Sequence, residues 1–116
     1  MAKPLDIFGQ EIMENIRNNG IELLDSMMAG NMKDEENIAF HATLSNLPPE
    51  TQNAIRNLVI ASIDTALFDF LSFFENSDEW KISNPDAKLK DLAETSDGLS
   101  GELFGENGWI SKYSQY

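Results

Sequence analysis

Apolar side chains recur at three- and four-residue spacing along most of this chain, the period of amphipathic helices, and no convincing strand alternation appears. The first such segment runs from about Asp6 to Asn18. Phe8, Ile12, Met13 and Ile16 share one face, Glu11, Glu14 and Asn18 lie opposite, and Gly20 is the expected stop. A short second helix, Ile21 to Ala29, carries Leu23, Leu24, Met27 and Met28 and is closed by Gly30. Asp34 reads as an N-cap, with Glu35 and Glu36 in a first turn where the helix dipole favours anions. That third helix, to about Leu47, has Phe40, Leu44 and Leu47 on one side and Ile38 and Ala42 on another, so two-sided packing is expected.

The strongest pattern starts at Pro48-Pro49-Glu50, where proline suits a first helical turn, and runs unbroken to about Glu75. Placing residues at 100° intervals gathers Ile55, Val59, Ile60, Ile63, Ala66, Leu67, Phe70, Leu71, Phe73 and Phe74 into one arc of about 160°. An arc that wide predicts a central helix, roughly 40 Å long, covered by several neighbours. Leu58 to Phe74 is the longest apolar stretch, but it contains Asp64 and Asp69 and is expected to be a core helix rather than a membrane span.

Ser77 to Asn84 reads as a connection, and Asn84-Pro85 as a cap and first turn. Leu89, Leu92, Ala93, Leu99, Leu103 and Phe104 then keep one face to about residue 104. Gly98 and Gly101 weaken that helix, and a break near Ser96-Asp97-Gly98 would make it two. After a turn at Gly105-Glu106-Asn107-Gly108, Trp109, Ile110 and Tyr113 form a last helical turn over the core. The expected fold is all-α: a single domain over residues 1–116, an irregular or orthogonal bundle of about five helices around the long central one.

Composition agrees with a packed domain, since 116 residues at 41% hydrophobic content can bury a core without metal or disulfide staples. Cysteine is absent, which removes disulfides, thiolate nucleophiles and Cys-ligated zinc together and fits a cytoplasmic location. The opening Met1-Ala2-Lys3-Pro4-Leu5-Asp6 has no apolar run long enough for a signal peptide.

Charge changes the picture more. Twenty acidic residues face eight basic ones, for a net charge of −12. Such an excess argues against nucleic acid and anionic membrane surfaces, and for a basic protein partner.

No catalytic chemistry accompanies the charge. His41, the sole histidine, sits five and six residues from Glu36 and Glu35, not the three or four that would place a metal pair on one helical face. It is expected to be structural. Aligning Gly98 or Gly108 to the glycine of a calcium loop puts Ala93 or Leu103 where the first oxygen ligand belongs, and no phosphate-binding GK[ST] follows the glycines. No catalytic, cofactor-binding or metal-ligating residue is predicted, and the chain is expected not to be an enzyme.

One constellation sharpens the reading of the charge. On the long helix Asn57, Asp64, Phe68 and Glu75 fall together, away from the main apolar arc. An aromatic ring amid carboxylates has the make-up of a protein-binding hot spot, unless another helix covers Phe68. The acidic helix starts, the acid-flanked Phe68 and the terminal stretch from Asp97 to Tyr113 together resemble small acidic helical immunity proteins that bacteria encode beside nuclease toxins. That resemblance implies a tight one-to-one complex blocking a toxin nuclease domain. The alternatives are a DNA mimic or regulatory adaptor for a DNA-binding protein, and a small-ligand domain. A homodimer is compatible with each, because the wide arc can exceed what five short helices cover.

Overall fold

The computed structural model describes residues 3–116, and among them the chain is all-α, with an isolated bridge between Asn84 and Leu89 in place of any strand. Helix α1 (Pro4–Ile12), a π turn (Met13–Arg17) and α2 (Asn18–Ala29) follow one another without a break. The two separate helices expected here are one rod. Gly20 does not end it; its bare Cα instead faces Ile63 of a neighbouring helix, where a Cβ would lie 3.5 Å from Ile63 Cδ1. The π turn carries an extra residue per turn. It brings Met13, Arg17 and Asn18 inward and leaves Ile16, expected on the buried face, 48% exposed. The rod closes at Gly30, whose φ of 80° is left-handed and whose N–H bonds back to the last turn.

Helix α3 (Glu35–Leu44) starts as its sequence predicts, with the Asp34 side chain accepting from the backbone N–H of Asn37 at 3.3 Å. It buries no residue. It rests on α2, with His41 Nδ1 2.9 Å from the Met28 carbonyl oxygen, and Ile38 and Phe40 stay in water. The expected two-sided packing is not realised.

Helix α4 (Pro49–Asn76) spans 28 residues, close to its predicted bounds. Only Leu67 and Leu71 are buried in it. It is long and apolar enough, by length and composition, to cross a membrane, with a mean hydropathy of 1.5 over an 18-residue window of which 11% is buried. The expectation of a core helix covered by several neighbours is therefore corrected. Two sides of α4 are apolar, and the fold covers one.

Past α4, the one or two helices expected over residues 85–104 are instead three short 3₁₀ turns, Pro85–Ala87, Leu92–Thr95 and Ser100–Leu103. Their cause is local. The side chains of Asn84, Asp91 and Ser96 each accept a backbone N–H two residues on, a bond that competes with helix formation. The inward set survives the change: Leu92, Leu99 and Leu103 are fully buried. Helix α5 (Trp109–Tyr113) is the predicted final turn.

The core joins Ile12, Met13, Leu67, Leu71, Leu92, Leu99, Leu103 and Trp109. Trp109 lies flat against Gly9, where an added Cβ would sit 2.4 Å from its ring, and meets Phe8 edge-on at 6.0 Å. All these residues come from α1, the π turn, the last third of α4 and the C-terminal segment. The rest of α2, α3 and the first half of α4 project beyond the core as an arm. The molecule measures 51 × 29 × 27 Å, and its radius of gyration of 17.2 Å exceeds the ~13 Å of a compact chain this long.

Candidate functional site: an acidic groove beside an exposed aromatic pair

The face of α4 that carries Asn57, Asp64, Phe68 and Glu75 does not point freely into water. The C-terminal segment folds back along it, and the Ser100–Leu103 turn is α4's most extensive contact. Asp64 takes a bidentate hydrogen bond from Arg17, with Nε 2.7 Å from Oδ1 and Nη2 3.2 Å from Oδ2. The same guanidinium donates to Ser114 Oγ at 2.8 Å and to the Tyr116 carbonyl, so Arg17 ties three parts of the chain together. Glu75 Oε1 accepts from the Ser100 N–H at 2.9 Å and from Ser100 Oγ at 3.2 Å.

Asp64 and Glu75, two of the four predicted contact residues, are thus hydrogen-bonded within the chain, Asp64 half-buried and Glu75 still exposed. Half-buried Asp64 needs donors, which Arg17 supplies, and Glu75 takes the backbone and hydroxyl donors that Ser100 offers beside it. Asn57 is exposed and lies two turns away from Asp64.

Phe68 keeps part of the predicted role. It is 38% exposed and packs on Phe104, which is 50% exposed, with ring centroids 6.0 Å apart and planes tilted by 32°. Beside Phe104 lies a shallow groove of about 320 Å³, lined by Gly101, Glu102, Phe104, Gly105, Glu106, Asn107 and Gly108. Glu102 accepts from Ser96 Oγ at 2.8 Å, which positions one carboxylate at the groove; Glu106 is exposed. A ring face, carboxylates and glycine-opened backbone are groups with which a cationic side chain such as Lys or Arg can pair.

The wider electrostatics point the same way. Among the described residues three ion pairs form, Arg17–Asp64 and Arg56–Asp25 at 2.7 Å and Lys81–Asp91 at 3.5 Å. Most of the twenty carboxylates therefore face water without a cation. The hydrogen bond from Arg56 holds the Asp25 carboxyl below the usual carboxylate range, against a smaller opposing effect of burial. No cluster of three or more His, Cys, Asp or Glu poised for a metal ion occurs among the described residues. In comparisons with known proteins, no family model, curated protein or solved structure matches this chain.

Sequence reasoning missed Arg17 and Phe104. Arg17 gave a faint signal, the only cation between Pro4 and Ala29, but its partners lie 47 and 97 residues away. Phe104 was assigned to the core face of a helix that does not form.

Proposed function

We propose that this chain is an acidic cytoplasmic binding protein that neutralises a basic protein partner, acting as an immunity protein would on a nuclease toxin. The observation that supports this reading is the groove of Glu102 and Glu106 beside the exposed Phe68–Phe104 pair. In it, carboxylates steer a basic surface and the aromatic pair supplies a contact that is partly desolvated before binding. Asp64 and Glu75 act indirectly, by holding the C-terminal segment where it presents Phe104.

The test is association kinetics with a basic nuclease toxin domain, measured across ionic strength. Electrostatic steering takes association toward ~10⁸ M⁻¹s⁻¹ at low salt, with a steep fall as salt rises. Glu106→Lys is expected to slow association several-fold. Phe104→Ala is expected to speed dissociation by about tenfold or more, the effect of losing a contact worth over ~1.4 kcal/mol. A complex indifferent to both substitutions and to salt would sink the reading. Displacement of this chain by duplex DNA would assign it instead to a DNA-mimicking adaptor.

A further inference from the structure

The outer face of α4 is the largest feature that the site above leaves unused. Ile55, Leu58, Val59, Ser62, Ala66, Asp69, Phe70 and Phe73 lie within about a third of the helix circumference, on the side away from the Ser100–Leu103 turn. Leu58 is 68% exposed, Phe73 54% and Phe70 48%. The face continues onto α2 through an apolar groove of about 350 Å³ lined by Ile16, Gly20, Ile63, Ala66, Leu67 and Phe70. Asp69 is its single charge, in a chain of net charge −12.

Surface area says how much is missing. The chain exposes 7773 Å². A compact monomer of 13.0 kDa exposes about 6,300 Å². The surplus, roughly 1,400 Å², exceeds the ~800 Å² that each partner buries in a standard stable interface.

We propose that this face is covered by a second copy of the chain, packed with α4 antiparallel to α4 about a two-fold axis near Ser62 and Ala66. The sequence of the face is self-complementary about that point. Ile55 meets Phe73 of the second copy, Val59 meets Phe70, and Ser62 meets Ala66, so large side chains pack at the ends and small ones let the helices approach at the centre. The arrangement also answers the charge problem. With the axis between residues 62 and 66, the two Asp69 carboxylates stand roughly 15 Å apart along the helices, beyond the ~8 Å screening length at physiological salt. A parallel pairing would set them side by side. The uncompensated carboxylates elsewhere remain outside, and so does the Phe68–Phe104 groove. This proposal is independent of the proposed function.

Sedimentation equilibrium from 1 to 100 µM tests it, with a mass of about twice 13.0 kDa expected at the upper end. Ser62→Arg and Phe70→Glu, both at exposed positions, are each expected to raise the dimer Kd by roughly 100-fold or more while leaving the helical circular dichroism intact. Phe104→Ala is expected to leave the dimer unchanged, which separates this proposal from the partner site. The chain has no native cysteine, so a nitroxide on Phe73→Cys reads the direction of packing. Antiparallel packing places the two labels roughly 27 Å apart along the helices, and parallel packing brings them within about one helix diameter. A monomer at every concentration overturns the proposal. So does a dimer untouched by both face substitutions, a parallel label distance, or binding of the face to phosphatidylcholine vesicles in place of self-association.

Discussion

Arg17–Asp64 and Arg56–Asp25 join the same two helical elements, the N-terminal rod and α4, at the same 2.7 Å, yet they belong to different kinds of structure. The Arg17 clasp has side chains 5% and 20% exposed and lies against the core. The Arg56 clasp, 30% and 42% exposed, stands in the arm, in the more solvated of the two settings. Identical chemistry therefore carries different weight, because a charge taken out of water depends on its partner and a charge left in water barely does. The contrast extends beyond the two pairs. One end of the molecule holds every member of the core cluster, and the other holds α3, which buries nothing.

Stability should divide along the same line, and the largest difference is expected from apolar truncation. Leu71→Ala empties a fully buried position and is expected to cost about 3–5 kcal/mol in urea unfolding. Ile38→Ala, 52% exposed on α3, is expected to stay within about 0.5 kcal/mol. Equal losses would erase the distinction between core and arm. Next in size is Arg17→Met, which strands Asp64 and frees Ser114 and the chain end; roughly 2–3 kcal/mol is expected, below a fully buried pair because Asp64 keeps some water. Adding Asp64→Leu should recover part of that loss. A single variant as stable as the native chain would show that the clasp does not hold the C-terminal segment in place.

Much of this architecture was legible in the residues, and the parts that were not share a cause. The Asp34 cap, the start of α4 at Pro49, the Asn84 cap and the Trp109 turn all follow from bonds within a few residues, and each appears where the chain predicts it. The inward set Leu92, Leu99 and Leu103 was legible too, although the local backbone was not: Asp91 and Ser96 bond to their own neighbours and replace a helix with 3₁₀ turns. What failed was rotational placement. A helix apolar on two sides has no single direction that marks its buried face. The choice fell to Arg17, Ser100 and Phe104, which meet Asp64, Glu75 and Phe68 across separations of 25 to 47 residues or through ring packing, and no local periodicity reports such pairings. The same rotation explains both errors at once. It ties Asp64 and Glu75 of the expected contact site to Arg17 and Ser100, and it leaves Ala66, Phe70 and Phe73 of the expected core face exposed.

The smallest effect isolates the arm's clasp by pH. Arg56 Nε lies 2.7 Å from Asp25 Oδ1 and Nη2 lies 3.1 Å from Oδ2. Chiefly through these hydrogen bonds, the Asp25 carboxyl is held below its ordinary 3.8 in the folded chain. A carboxyl depressed on folding contributes stability that is fully present above the unfolded value and is lost as pH falls through the folded one. The stability gap between the native chain and Arg56→Ala is thus expected to be level from pH 7 to about pH 5. It should narrow below 3.8 and close once Asp25 is protonated in both states. Exposure and salt screening limit its height to about 1 kcal/mol or less. Urea unfolding of both proteins at pH 7, 5, 3.5 and 2.5 measures the gap directly. A gap of the same height at pH 2.5 would transfer the contribution of Arg56 from its charge to the packing of its methylene stem between α4 and α2.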